Sequence, residues 1–221
     1  MFVLSGCEFH QRPTHPKLGQ ITAADLYVTH PKTLRLVRFA HFIPVQRLRD
    51  SFITSTNFPK IIGWDKRISG RALLHIKIGK HVSNGNEHTR RGIEYEETAF
   101  NLFDKQQRSK GRPCFRFNGY VCSNLFSFLA ASPDGITCDG CLIEIKCPLK
   151  FYETPPRQHW AQMQFDMYVT ETERAYYIQY CDGEIRVSVV EAETGFILGY
   201  IDTLVSFYSI LDQIASYGGL E

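Results

Sequence analysis

Residues 132–146 read Ser-Pro-Asp-Gly-Ile-Thr-Cys-Asp-Gly-Cys-Leu-Ile-Glu-Ile-Lys. The stretch sets Asp134 ahead of a hairpin-like turn, and Glu144 and Lys146 two apart on an apolar strand expected over 141–147. Strand side chains alternate between faces, so Glu144 and Lys146 share one face while Ile143 and Ile145 share the other. An acid and an amine on a buried strand face cost free energy unless something meets them. With Asp134 brought alongside by the turn, the trio can hold a divalent metal next to a group that handles the proton of an attacking water.

Upstream, residues 92–106 carry a helical stripe of Tyr95, Ala99, Leu102 and Phe103, widened by Ile93 and Phe100. Glu96 falls inside that apolar arc, whereas Glu94 and Glu97 fall outside it. An inward glutamate needs a partner such as a metal. Strands are expected at 114–122 and 125–131, joined near Ser123-Asn124. Downstream, Pro155-Pro156 precede a helix over 157–169, and strands at 174–181 and 185–191 flank Asp182-Gly183, a strong hairpin signal. A helix over 195–216 closes the order. The fold class is α/β (α+β), a mixed sheet flanked by helices. Five prolines, Pro13, Pro16, Pro31, Pro44 and Pro59, break up residues 1–70 into short helices and loops. Residues 79–91 read as a polar, partly basic loop. We divide the chain into an N-terminal extension, 1–78, mostly helical or irregular, and a domain over 79–221 that carries the acid–lysine motif.

The bulk composition excludes several classes. At 43% hydrophobic and 22% charged, the 221 residues are those of an ordinary globular chain, not a disordered or low-complexity one. A net charge of +2 does not mark a nucleic-acid binder, so a local basic face has to do that work. No stretch approaches the roughly 20 apolar residues of a membrane span. The first residues lack the basic start and apolar run of a secretion signal. Seven cysteines, mostly within apolar runs, point to free thiols in a reducing intracellular compartment. Cys138 and Cys141 form a lone CxxC with no second pair, which reads as two thiols flanking a turn. His81, His88 and His159 show no ligand spacing and read as surface or packing residues.

Hydrolysing a phosphodiester needs positive charge on the phosphoryl oxygens and hydroxide near neutral pH, and metal ions supply both. Mg²⁺ is usually held by one or two carboxylates plus waters. Asp134 and Glu144 suit its main ligands, the Ile145 carbonyl a third, and Glu96 the same ion or a second; Mn²⁺ can substitute. Lys146 can orient the water, accept its proton or neutralise the phosphate, and the sequence leaves these three roles open.

This constellation resembles the PD-(D/E)xK nuclease superfamily, which implies a restriction-endonuclease-like fold. The likeness sharpens with Arg-Gly-Ile-Glu-Tyr-Glu-Glu at 91–97, Ser-Pro-Asp-Gly at 132–135, Glu-Ile-Lys-Cys-Pro at 144–148 and Trp-Ala-Gln-Met-Gln-Phe-Asp-Met-Tyr-Val-Thr at 160–170. In order and spacing these blocks resemble the lambda-type exonuclease, or YqaJ-like viral recombinase, family over residues 90–190. The resemblance implies Mg²⁺-dependent 5′-to-3′ digestion of double-stranded DNA, leaving a 3′ strand for a single-strand annealing protein, and an enzyme that can form homo-oligomers. Glu96, Asp134 and Glu144 would be metal ligands, Lys146 the catalytic lysine and Gln162 the active-site glutamine. The helical wheel instead favours Gln164 as the inward residue.

The family's arginine followed by Ile-Thr-Ala-Ser, which grips DNA phosphate, is matched by Lys17 to Ala24, with Lys17 for the arginine and Ala24 for the serine; a second candidate is Arg67 to Arg71. Arg90 and Arg91, just before the Glu96 helix, are further candidates for backbone contact. Two other readings stand beside the exonuclease. One is a structure-specific endonuclease of the same superfamily, and the other a catalytically repurposed DNA-binding module. A Cas4-like nuclease is disfavoured because no cysteine follows Cys181 to complete an Fe–S cluster.

Overall fold

Asp182 and Gly183 both adopt positive φ, 50° and 89°, as a two-residue hairpin turn matched to strand twist requires. They join strands at Arg174–Cys181 and Glu184–Glu191, the hairpin expected from the sequence. The structure, a computed structural model, describes residues 28–29, 36–37, 52–77, 87–117 and 119–217. Its strands are β1 (Val28–Thr29), β2 (Leu36–Val37), β3 (Ile53–Thr54), β4 (Cys114–Arg116), β5 (Val121–Cys122), β6 (Leu129–Ala131), β7 (Gly135–Thr137), β8 (Leu142–Lys146), β9 (Arg174–Cys181) and β10 (Glu184–Glu191). Its helices are α1 (Phe58–Ile61), α2 (Gly70–Lys77), α3 (Glu87–Arg108), α4 (Arg157–Thr170) and α5 (Ile201–Tyr217).

The central sheet runs β10-β9-β8-β7-β4 and is mixed: β8 and β9 are parallel and the other neighbours antiparallel. A second sheet, β3-β6-β5, pairs β3 parallel to β6. β1 and β2 form a separate antiparallel pair. The mixed sheet flanked by helices is the fold class the sequence implied.

Alternation along β8 sorts its residues by face. Ile143 and Ile145 pack with Ala99, Phe100 and Phe103 of α3. Leu142 packs on the opposite face with Met163 and Met167 of α4, the face that also takes Glu144 and Lys146. α4 then uses its far side, Ala161, Phe165 and Val169, against a second core with Ile53, Phe58, Leu129 and Leu204. The Phe58 and Phe165 rings lie 5.3 Å apart. α4 is therefore enclosed between the central sheet and this outer layer, and residues 53–77 pack into the same body as β7 and β8.

Some element boundaries differ from expectation. α3 starts at Glu87, so part of the expected polar loop is helical. The expected strand 114–122 is two strands in two sheets, because the chain leaves the central sheet after Arg116 and turns at Gly119, whose φ is 137°. The expected strand 125–131 shortens to Leu129–Ala131, since Phe126 closes a turn onto Leu129. Ile201–Tyr217 forms the closing helix, after a 3₁₀ turn at Leu198–Tyr200. The expected boundary at 78–79 lies outside the described residues. No described helix is long and apolar enough to cross a membrane.

Gly135 shows how tightly the motif is packed. A Cβ there would sit 2.7 Å from the Phe100 ring and 2.9 Å from the Phe115 carbonyl oxygen. Both distances are below van der Waals contact, and one neighbour is main chain that cannot move aside. Gly135→Ala is expected to destabilise the fold by about 1–3 kcal/mol and to displace Asp134 beside it. Urea unfolding checks this by a lowered midpoint with an unchanged slope.

Candidate active site

Asp134 is tied to β8 twice. Its main-chain N–H donates to the Ile143 carbonyl at 3.0 Å, and its Oδ2 accepts the Ile145 N–H at 2.6 Å. The side chain thus occupies a ladder position and is held against the strand that carries Glu144 and Lys146. Lys146 Nζ donates to Glu144 Oε1 in an ion pair, and Gln162 Nε2 donates to the same oxygen at 2.5 Å. Asp134, Glu144, Lys146 and Gln162, all expected from the sequence, line one open cleft of ≈ 820 Å³, as does Ile145.

Burial raises the Asp134 carboxyl well above its usual range, and the Glu144 charge raises it further, against the lowering effect of Lys146 and the Ile145 N–H. For Lys146, burial favours the neutral amine, but Glu144 and Asp134 outweigh it and the ammonium is held above its ordinary value. The site thus sets two carboxyl groups against one lysine, with Asp134 driven toward its protonated form in the absence of a further cation. That deficit, with two oxygen ligands from carboxylates and the nearby Ile145 carbonyl, suits a hard divalent cation. Among the described residues, no three acids, cysteines or histidines already stand at ligand spacing.

Glu96 lines the same cleft, but its Oε1 accepts a hydrogen bond from Arg116 Nη2 at 2.6 Å, and both side chains are about one-third exposed. The Arg116 guanidinium also lies over the Phe100 ring, 4.9 Å from its centre. Glu96 therefore faces the site from across an ion pair rather than touching Asp134 or Glu144.

The two glutamines separate clearly. Gln164 Nε2 donates to the Glu191 carbonyl at 2.8 Å, and its Oε1 accepts the Glu193 N–H at 2.7 Å. It fastens the end of β10, while Gln162 meets Glu144. The wheel misplaces Gln164 because α4 is buried on nearly all sides, which leaves no polar face to set the phase.

Arg90 is exposed, and Arg91 lies over the Tyr95 ring at 5.2 Å. The cleft begins just after them, at Gly92 and Ile93. Lys17 lies outside the described residues.

The cleft also brings in residues that the sequence reading passed over. Thr54, Ser55, Thr56 and Arg67 line it. Residues 53–56 read Ile-Thr-Ser-Thr, three hydroxyl side chains in a row on the cleft. Arg67 holds Asp65 through Nε and Nη2, both at 2.8 Å. Asp166 lies one helical turn beyond Gln162. It is 1% exposed; neither carboxylate oxygen meets a donor at good hydrogen-bond geometry, although the Ser55 hydroxyl lies beside it and favours its ionised form. Burial raises its carboxyl well above the usual range, and Glu144 adds to the shift. An i, i+4 spacing from Gln162 was the available signal for it.

The sequence pattern of the YqaJ-like viral recombinase domain matches residues 46–173. No curated protein matches the chain. Among solved structures, the chain resembles an alkaline exonuclease from Laribacter hongkongensis, with a TM-score of 0.66 and 21% identity over 78% of this chain and 94% of that one. The same enzyme in complex with dAMP gives a TM-score of 0.65, 21% identity, and 78% and 93% coverage. A phage-related exonuclease from Haemophilus somnus 129PT gives 0.59 at 15% identity, covering 79% of this chain and 99% of that one. These likenesses place the fold.

Replacing the Asp166 carboxyl, which burial drives toward its protonated form against the weaker pull of Ser55 and Lys146, should stabilise the protein. Asp166→Asn is expected to gain about 1–3 kcal/mol at neutral pH. The folded-state pKa lies above the unfolded one, so native Asp166 binds more protons and costs stability as pH rises from near 3.8. The advantage of Asn therefore grows from acid to neutral pH. Paired thermal melts across that range check the sign.

Proposed function

Because the chain belongs to the YqaJ-like viral recombinase family and is a DNA nuclease, a phosphodiester hydrolase, we propose that it is a Mg²⁺-dependent exonuclease. It digests double-stranded DNA from 5′ ends toward 3′ ends in recombination or repair. The observation that supports this most is the pair of acids, Asp134 and Glu144, held with Lys146 on one cleft.

Asp134, Glu144 and the Ile145 carbonyl would hold the divalent ion. When bound, that ion supplies charge to the scissile phosphate and makes hydroxide available near neutral pH. Gln162 keeps the Glu144 carboxylate in place through its amide. Lys146, kept as an ammonium by its two acidic neighbours, orients the attacking water and neutralises charge that builds on the phosphate. Glu96, which lines the same cleft, would be a further ligand, and its partner Arg116 a donor to the phosphate backbone. Thr54, Ser55, Thr56 and Arg67 offer donors to the phosphate backbone along one wall. Lys17, Arg90 and Arg91 extend that grip, so the N-terminal stretch to residue 78 contributes to DNA binding ahead of the catalytic domain.

A single-strand annealing protein that takes the 3′ strand, and a homo-oligomer, complete the proposal. A reducing intracellular compartment is consistent with the free thiols at Cys114, Cys122, Cys138, Cys141, Cys147 and Cys181.

End-labelled linear duplex beside a covalently closed circle tests the mode of action, each with Mg²⁺ and with chelator. Nucleotide release from the linear 5′ ends alone, abolished by chelator, is expected. Cutting of the circle would replace the exonuclease by a structure-specific endonuclease. Binding without cutting would point to a repurposed DNA-binding module. Lys146→Ala is expected to lower the cleavage rate by roughly 100-fold or more while leaving DNA affinity and the fold in place; a variant that cuts like the parent contradicts the assigned mechanism.

A further inference from the structure

His159 stands in the first turn of α4 and lines the cleft beside Gln158 and Gln162. Its Nδ1 lies 2.8 Å from the hydroxyl of Tyr177. Tyr177 is fully buried on β9, directly opposite Glu144 in the parallel ladder. The Tyr152 ring meets the imidazole edge-on at 5.9 Å. Tyr152 is fixed in turn by Gln179, which bonds its N–H at 2.7 Å and its carbonyl at 3.0 Å. Gln179 is itself the ladder partner of Lys146. Two tethers rooted in the catalytic strands thus hold one imidazole on the cleft wall, and the acid chemistry described above uses neither.

Donor accounting sets the tautomer. A buried phenol must place its proton on an acceptor, and the described partner of the Tyr177 hydroxyl is His159 Nδ1. The phenol therefore donates, Nδ1 accepts, and the ring proton sits on Nε2. No hydrogen bond among the described residues occupies Nε2, which is not among the buried orphan atoms. Burial, with Lys146 and Arg67 nearby, holds the imidazole neutral, down to about 3. A neutral donor suits this place: an imidazolium would repel both Lys146 and a divalent ion, whereas an uncharged N–H still bonds an anionic oxygen.

We propose that His159 is a substrate-contacting residue whose Nε2–H, aimed by Tyr177, donates a hydrogen bond to a non-bridging oxygen of the scissile phosphate. The proposal rests on the nuclease reading and adds a contact to it.

Single-turnover digestion of a linear duplex, at saturating Mg²⁺ and DNA, tests it with His159→Phe, His159→Gln, His159→Asn and Tyr177→Phe. His159→Phe is expected to slow cleavage roughly 10- to 100-fold with DNA affinity little changed. Gln carries its amide near the Nε2 position and should recover most of the rate, while Asn, which reaches only the Nδ1 position, should not. Tyr177→Phe should cost about tenfold or less, since the imidazole remains but its tautomer is no longer imposed. Sulfur in place of the contacted oxygen should slow the parent more than His159→Phe. Should His159→Phe fail to fold by thermal melting, the Gln–Asn pair decides. Equal rates for Gln and Asn, or sulfur effects that multiply independently of the substitution, overturn the contact. If the parent itself does not cut, the nuclease reading falls and takes the contact with it. If the parent cuts and His159→Phe keeps pace, the contact alone falls.

Discussion

The hydrogen bond from the Ile145 N–H to the Asp134 carboxylate, at 2.6 Å, fixes the geometry on which the site depends. The main chain of Asp134 also bonds Ile143, so residue 134 enters the β7–β8 ladder before β7 formally begins. Asp134 is thereby locked to β8 rather than left on a loop tip. A carboxylate placed by a ladder varies little in position, which a metal site requires. The close packing at Gly135 serves the same end: Phe100 and the Phe115 carbonyl leave room for no side chain there, so β7 lies close against α3 and β4.

A second constraint is charge. Glu144 and Asp166 are buried on the α4 side of the sheet, Asp134 beside them is half-buried, and Lys146 is the base paired among them. Buried charge of this kind opposes folding. It is offset by the two cores that enclose α4, one with Met163 and Met167 and the other with Phe165 and Val169. α4 thus serves two purposes: its apolar residues join the layers, and its polar ones at 159, 162 and 166 stand at or behind the cleft. Such an arrangement, with local cost at a site and compensation in the surrounding core, is expected where chemistry sets the residue choice.

The strands were legible where period and turn chemistry agree. The alternation Leu142-Ile143-Glu144-Ile145-Lys146 sorts the faces of β8 correctly, and Asp182-Gly183 marks the β9–β10 turn to the residue. Glu96 lines the cleft, but the apolar arc that its helical phase was read from is open at Ile93, 79% exposed, and its pairing with Arg116 left no signal, since Arg116 is 20 residues away in sequence. Helical phase failed on α4, because a helix buried on most sides has no single polar stripe; only the contacts of Gln162 and Gln164 tell them apart. Residues 53–56 were missed because a two-residue strand carries almost no periodic signal and its parallel partner, β6, follows some 75 residues later. The His159–Tyr177 contact carried no sequence signal for a related reason: the two are adjacent only once β9 lies beside β8.

The central claim is that Asp134, Glu144 and the Ile145 carbonyl form a divalent-ion site. Anomalous diffraction from crystals soaked in Mn²⁺ tests it most directly. The account predicts a peak within coordination distance of those three groups, about 2–2.5 Å from their oxygens, and its loss in Asp134→Asn. A peak elsewhere, or one that survives that substitution unchanged, would contradict it.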